Sequence, residues 1–155
     1  MSGLILIDTR EQDLHIAKQL ERLGIEYKRK KLNFGDYSFV ANGKSYERQI
    51  VIERKGSIDE LIGNFTKGRE RFRREFERAG KCKIILMVES SMKQLEKGQY
   101  RSRMSPKDLK SFLNTWCNKF QIELKFVDKS QSCEFVLDTF RKFYKGDYRN
   151  ESKIG

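Results

Sequence analysis

Three short, wholly apolar runs limit the fold of this chain more than any other feature of its sequence. They occupy residues 4–7, 50–52 and 84–88. Such runs are typical of strands that are covered on both faces. Between them lie patterns of helical period, of which Ile58, Leu61, Ile62 and Phe65 are one example. Strands alternating with helices predict one α/β domain, with a central mixed β-sheet flanked by helices on both faces.

Turn and cap signals mark the ends of these elements. Asn42-Gly43 predicts a hairpin between strands at 34–40 and 45–55. Capping-box patterns at Thr9 and Ser57, and Pro106 at a first helical position, predict three helix starts. Further helices are expected at 66–79 and 132–144, and a strand at 122–127. We expect one domain over residues 1–146, followed by a flexible tail at 147–155.

The charge of the chain favours an anionic partner. Its 155 residues carry 33 basic and 22 acidic side chains, a formal net charge of +11. So large an excess indicates nucleic acid, although a basic surface that serves only solubility is the alternative. No spacing of Cys and His suggests zinc. The lone His15 is interpreted as structural, and three widely spaced cysteines as free thiols in a reducing compartment. No signal peptide or membrane span is expected.

An acidic and basic pair at the end of one apolar strand is the strongest candidate for chemistry. Glu53 and Lys55 are two residues apart on a strand, so their side chains project from the same face. Folding at the hairpin brings Asp36 of the partner strand towards them. Two carboxylates make an oxygen site suited to Mg²⁺ or Mn²⁺. The alternative is a surface ion pair. Arg54, on the opposite face, is expected to pair with Asp8 or Asp59.

A longer pattern contains this pair and is far more specific. The chain carries Asp-x-Arg-Glu at 8–11, Gly-Asp at 35–36 and Glu-Arg-Lys-x-x-x-Asp at 53–59, intact and in order. This pattern resembles the signature of the XPF-type structure-specific endonucleases, over roughly residues 4–144. The resemblance implies a restriction-endonuclease-like core of the PD-(D/E)xK superfamily.

The resemblance also implies a role for each matching residue. Asp36 and Glu53 would be the metal ligands, with the carbonyl of Arg54, and Lys55 would act on the attacking water. The remaining acids and the arginine would support that site: Asp8 and Glu11 as auxiliary acids, and Arg54 and Asp59 as a buttress. For Asp59 there is an equal alternative, because an Asp near a helix N-terminus is favoured by the dipole.

Basic residues near these motifs are candidates for contact with DNA phosphates. The set comprises Arg10, Lys67, Arg69 and Arg73. A basic loop with one aromatic, residues 97–103, has a composition suited to a DNA backbone or a splayed base. For the helix and the loop alike, the alternative is a solvated charged face.

The sequence therefore predicts a Mg²⁺- or Mn²⁺-dependent DNA endonuclease that acts on branched, flap or junction DNA in repair or recombination. The alternatives are a non-catalytic DNA-binding module of nuclease fold, and another PD-(D/E)xK nuclease such as a restriction endonuclease or junction resolvase. The usual tandem helix-hairpin-helix module has no room here, so an excised domain or a compact version is expected. A cytoplasmic, DNA-associated location is expected if the source is bacterial or phage.

Assembly is predicted from the apolar residues of the last two helices, at about 106–144. They are numerous enough to exceed what one sheet can cover, and they include Phe112, Trp116, Phe120, Phe135, Phe140 and Phe143. A helix that is apolar on nearly all sides must be covered on nearly all sides. A homodimer through these helices is therefore expected. The alternative is that the aromatics complete the core of the monomer.

Overall fold

The structure is a computed structural model that describes the backbone of residues 3–154 and the side chains of residues 3–146. Its strands are β1 Gly3–Ile7, β2 Tyr27–Arg29, β3 Tyr37–Ala41, β4 Lys44–Ser45, β5 Ile50–Lys55, β6 Lys83–Val88 and β7 Ile122–Phe126. Its helices are α1 His15–Arg22, α2 Ile58–Phe65, α3 Arg69–Ala79, α4 Met92–Glu96, α5 Pro106–Phe120 and α6 Ser132–Ile154, the last preceded by a 3₁₀ turn at Lys129–Gln131.

The strands form one mixed sheet in the order β2-β1-β3-β5-β6-β7, with β4 paired to β3 outside this path. β3 runs antiparallel to β1 and β5, whereas β5, β6 and β7 are mutually parallel. The register sets Tyr37 opposite Ile52, and Lys55 beside Val88. The start of β3 and the end of β5 consequently meet at one end of the sheet.

Two cores cover the two faces of the sheet, as the apolar runs predict. Alternate residues of β5 divide between them: Ile50 and Ile52 enter one core, and Val51 enters the other. The first core is closed by α1 and α6, which supply Leu20 and Phe140 among others. The second core is closed by α2, α3, α4 and α5. The predicted α/β class with helices on both faces is confirmed.

Two local predictions are wrong. The capping box at Thr9 does not open a helix, because α1 begins only at His15 and residues 8–14 form a loop. That loop is held by long-range bonds, including one from the Leu32 N–H to the Asp8 carboxylate at 2.8 Å. The return strand is also broken, because the chain turns at Tyr46, whose carbonyl accepts from Gln49, before β5 begins. The Asn42-Gly43 turn is confirmed, with positive φ at both residues.

Most of the apolar residues that motivated a dimer lie inside the monomer. Fully or nearly fully buried are Leu109, Leu113, Trp116, Val136, Leu137 and Phe140. Partly buried residues packed against the cores include Phe112, Phe120, Phe135 and Phe143. Among the described side chains, the exposed large apolar ones are Leu14, Leu23 and Met92, none of them in α5 or α6. The expected tail at 147–155 lies outside the described side chains, and over residues 3–154 no helix is long and apolar enough to cross a membrane.

Candidate active site

Asp36 is fixed where three strands meet. Its N–H donates to the Ile52 carbonyl at 2.9 Å, and its own carbonyl accepts from the Asp8 N–H at 2.8 Å. The Arg54 N–H donates to the Asp36 carboxylate at 2.7 Å. Gly35 makes this approach possible, since its φ is +78° and a Cβ there would lie 2.8 Å from the Val51 Cβ. The hairpin thus brings Asp36 to the end of β5, as the sequence predicts.

Glu53 and Lys55 project from the face of β5 that is covered by α2 and α3. The Lys55 Nζ lies 3.2 Å from a Glu53 carboxylate oxygen and 5.2 Å from the centre of the Phe72 ring. The side chain of Lys55 is only 8% exposed and that of Glu53 only 14%, so the alternative of an exposed surface pair is wrong. The pair lines an open cleft of about 610 Å³ together with Asp36, Asp8 and Glu11.

The cleft concentrates negative charge in a poorly solvated place. Burial raises the pKa of Asp36 well above its ordinary value, and the charges of Glu53 and Glu11 raise it further. Burial raises the pKa of Glu53 as well, and the nearby Glu75 adds to this while Lys55 opposes it. Carboxylates in this state repel one another when ionised, and a bound cation would relieve that repulsion. Glu75 of α3 is a site residue that the sequence motifs did not reveal.

Arg54 points to the other face of β5, and its expected partners are wrong. Its guanidinium donates to both oxygens of Glu11, at 2.8 and 3.0 Å, and to Glu89 at 2.7 Å. Glu11 also accepts from the Tyr37 hydroxyl at 3.0 Å. Burial alone would lower the pKa of Arg54, but the two carboxylates outweigh it and hold that pKa above its ordinary value. Arg54 is therefore a buried brace beneath the cleft.

Glu89 is the second residue that the sequence motifs did not reveal. Its side chain is 1% exposed and accepts from Arg54, from the Ser132 hydroxyl at 2.5 Å and from the His15 ring at 2.6 Å. The other ring nitrogen of His15 contacts Asp13 at 2.7 Å, which confirms the structural interpretation of this histidine. A signal for Glu89 exists in the sequence, because a carboxylate follows directly on the apolar run of β6, whose end lies beside the end of β5.

Asp8 and Arg10 form one rigid corner of the cleft. The Asp8 carboxylate accepts from the Arg10 Nε at 2.8 Å, the Arg10 N–H at 3.0 Å and the Leu32 N–H at 2.8 Å. Burial would raise the pKa of Asp8, but these bonds lower it on balance. Arg10 also donates to the Leu32 carbonyl at 2.9 Å and keeps half of its side chain exposed. Arg10 is thus a cation held at the rim with a face open to solvent.

The remaining candidates lie outside the lining of the cleft. Asp59 accepts from the N–H groups of Arg101 and Ser102, at 2.9 to 3.1 Å, and so anchors the basic loop instead of the cleft floor. In that loop, the partly buried Tyr100 packs on the second core, and its hydroxyl donates to the Met104 carbonyl at 2.7 Å.

Of the cations expected at DNA, Lys67 and Arg69 are exposed, whereas Arg73 pairs within its own helix with Glu70 at 2.8 Å and Glu77 at 3.8 Å. None of the three lines the cleft.

The donor set fits a hard cation that keeps part of its water. Among the described residues, no three His, Cys, Asp or Glu side chains form a ready-made metal cluster. Mg²⁺ is commonly held by one or two carboxylates, with the other positions filled by water. Asp36 and Glu53 supply two carboxylates close to the main chain of Arg54, which matches that pattern.

Comparisons with known proteins agree with this fold. The family model of the ERCC4 domain matches residues 7–138. No curated protein sequence matches the chain. Among solved structures, XPF from Aeropyrum pernix is similar at a TM-score of 0.65 and 23% identity, covering 88% of this chain and 59% of that one. A second structure, XPF from Aeropyrum pernix in complex with DNA, gives 0.69 and 21%, covering 93% of this chain and 66% of that one.

These findings settle the class. The chain belongs to the ERCC4 domain family, which confirms the resemblance to the XPF-type nucleases. At such identities the two structures show the fold alone, a mixed central sheet flanked by helices as in XPF. The chain also spans less than two thirds of each of those proteins.

Proposed function

We propose that this chain is a metal-dependent DNA endonuclease domain that hydrolyses phosphodiester bonds in branched DNA such as flaps, forks or junctions. The observation that carries the proposal is the meeting of Asp36 and Glu53 in one cleft, with the Lys55 ammonium 3.2 Å from Glu53. Two carboxylates with raised pKa values side by side in a cleft are typical of functional sites. Membership of the ERCC4 domain family supports the same reaction.

Each residue at the cleft has a task in this proposal. Asp36 and Glu53 would hold Mg²⁺ or Mn²⁺, aided by the carbonyl of Arg54. When bound, such an ion polarises the phosphoryl group and lowers the pKa of water. The Lys55 ammonium, kept nearly dry against Phe72, orients the attacking water and balances charge that develops on the phosphate.

Beneath these residues, Arg54 holds Glu11 in place and is itself held by Glu89. Arg54 and Glu89 therefore act by positioning other residues and not by contact with the substrate. Asp8 does the same for Arg10 at the rim.

DNA as the substrate is supported by charge and by likeness. The formal net charge of +11 favours a phosphate polymer, and one of the similar XPF structures is a complex with DNA. Preference for branched substrates, a role in repair or recombination and a location at cellular DNA follow from the family likeness and are part of the proposal.

A homodimer is proposed on a narrower basis than the sequence suggested. An open groove lies between β6, β7 and the exposed side of α6. It is lined by apolar and charged residues that include Ile85, Glu123, Lys125, Phe135 and Phe143. Mixed lining of this kind suits a self-complementary twofold contact. Light scattering during size exclusion tests it: twice the monomer mass of 18.4 kDa supports the dimer, and the monomer mass at high micromolar concentration contradicts it.

A substrate comparison tests the proposed reaction. End-labelled flap, fork, four-way junction and plain duplex of the same sequence are incubated with excess protein and Mg²⁺ or Mn²⁺. We expect cleavage of one or more branched substrates at least tenfold faster than of the duplex, and loss of cleavage in EDTA. Equal or faster cleavage of plain duplex would point to another PD-(D/E)xK activity. Tight binding without cleavage under all conditions would identify a non-catalytic DNA-binding module.

A further inference from the structure

A second pocket, formed mainly by arginines, opens directly beside the cleft that contains Asp36 and Glu53. It is lined by Arg10, Arg71, Arg74, Glu75 and Arg78. Three of these residues, Arg10, Arg71 and Glu75, also line the cleft itself. The two spaces are therefore continuous along the inner side of α3. A strand that enters the cleft and continues past Arg10 passes over this pocket.

The helix presents these cations as a single row. Arg71, Arg74 and Arg78 are spaced by three and four residues, so their side chains share one face of α3. Two turns of helix span about 11 Å. Phosphates of one strand follow at about 3.4 Å along a duplex axis, so the row would span about three nucleotide steps if it lies along that axis. Arginine suits this use, because its planar guanidinium can bind phosphate oxygens in pairs.

The pocket arginines are available for a ligand. Arg74 and Arg78 are exposed and make no ion pair within 4 Å with any described residue. Arg71 is 82% exposed and reaches Glu75 only at 3.8 Å. Arg10 is oriented by Asp8 and by the Leu32 carbonyl, with half of its side chain in solvent.

Arg10 is paired with Asp8 from the side of the cleft, and the lining of the pocket itself contains one carboxylate. It is Glu75, which also lines the metal cleft and adds to the negative charge felt by Glu53.

We propose that Arg10, Arg71, Arg74 and Arg78 form a second phosphate-binding site that holds the DNA backbone about two to three nucleotides to one side of the scissile phosphate. The proposal rests on the function proposed above, because it takes the cleft as the place of cleavage. It differs from the expectation from sequence, which put the phosphate contacts of this helix at Arg69 and Arg73. The pocket fixes where the strand lies and carries no information about base sequence.

The first experiment measures DNA binding without metal, so it does not depend on cleavage. Affinity for a fluorescent fork is recorded in EDTA from 50 to 200 mM salt for wild type and three charge-matched variants. The variants are Arg74→Gln/Arg78→Gln, Lys67→Gln/Arg69→Gln, and Lys18→Gln/Arg22→Gln as a control in α1, across the sheet. We expect the salt slope of the Arg74/Arg78 variant alone to fall by about two, since each duplex phosphate contributes about 0.9. All substituted side chains are exposed, and thermal melting checks that the variants fold.

An unchanged slope for the Arg74/Arg78 variant overturns the proposal, and so does an equal fall in all three variants, which would indicate diffuse surface charge. A fall confined to the Lys67/Arg69 variant would return the contact to the outer side of the helix.

The second experiment locates the phosphate. Single neutral methylphosphonates are placed in turn on each side of the cleavage position, and cleavage is measured for wild type and for Arg74→Gln/Arg78→Gln. Wild type is expected to slow tenfold or more at a position two to three nucleotides away, and the variant to be insensitive there. Sensitivity that is identical in both proteins refutes the pocket while leaving cleavage intact. Wild type that never cleaves refutes the proposed reaction, in which case the salt slopes still report on the pocket.

Discussion

Replacement of Arg54 by methionine tests whether this residue stabilises the fold as a brace beneath the cleft. The guanidinium is 8% exposed and lies between Glu11 and Glu89, whose side chains are 6% and 1% exposed. Methionine keeps much of the volume and removes the hydrogen bonds of the guanidinium to Glu11 and Glu89. Two buried carboxylates then lose their common cation. Removing one partner of a buried ion pair typically costs about 3 to 5 kcal/mol.

The two carboxylates do not lose equally. Glu89 keeps its bonds from His15 and Ser132, whereas Glu11 keeps only the Tyr37 hydroxyl. The loss of stability is therefore expected to come mainly from the unpaired charge of Glu11. Replacing Glu11 by Gln in the same chain should recover most of that loss. The free energy of unfolding of a domain is typically about 5 to 15 kcal/mol, so we expect the single variant to fold with clearly reduced stability.

Urea unfolding without metal measures these free energies. The set is wild type, Arg54→Met, Glu11→Gln and the double variant, with Arg22→Met as an exposed arginine control. We expect about 3 to 5 kcal/mol of loss for Arg54→Met, a smaller loss for the double variant and none for the control. A loss below about 1 kcal/mol for Arg54→Met, or a double variant no more stable than the single one, would refute the brace.

Three further predictions follow from the cleft. Glu53→Gln and Lys55→Ala should each slow single-turnover cleavage about 10²- to 10⁴-fold with DNA affinity unchanged, and full activity in either would remove its assigned role. Asp8→Asn should cost about 1 to 3 kcal/mol by urea unfolding at pH 7. Because the pKa of Asp8 is lowered from 3.8, this difference should be full above about pH 4 and shrink as pH falls through the lowered value; a constant difference would contradict it. Gly35→Ala should destabilise the fold by about 1 to 3 kcal/mol, since it meets Val51 and an unfavourable φ, and a neutral effect would deny that close approach.

Local signals in the sequence predicted the parts of the fold that depend on neighbouring residues. Ser57 and Ser105 cap their helices by accepting from the N–H three residues later, as their patterns indicated. The apolar centres of β5 and β6 are buried on both faces. The short α4 was missed although Ser91 and Gln94 form a capping pattern, because a helix of five residues leaves too little periodicity to detect.

Interactions between distant residues account for the errors. Asp8 binds Leu32, and this bond keeps residues 8–14 out of the helix that Thr9 and Gln12 suggested. Arg54 had several carboxylates within plausible reach, and only the parallel pairing of β5 with β6 selects Glu89. The face of α3 that lies towards the cleft depends on how Phe72 and Phe76 pack. This packing places Arg71 at the cleft and Arg74 at the adjoining pocket, instead of Arg69 and Arg73.

The most direct test of the central claim is single-turnover cleavage of a labelled branched DNA by wild type and by Asp36→Asn, in Mn²⁺ and in EDTA. Asn keeps the shape of Asp36 and can still accept from the Arg54 N–H, so the fold and DNA binding should be retained. The proposed site predicts that wild type cleaves in Mn²⁺ and not in EDTA. It also predicts that Asp36→Asn cleaves in Mn²⁺ at a rate at least 10³-fold lower than wild type. Cleavage by wild type in excess EDTA, or wild-type rates from Asp36→Asn, would contradict the assignment of this cleft as the metal-dependent active site.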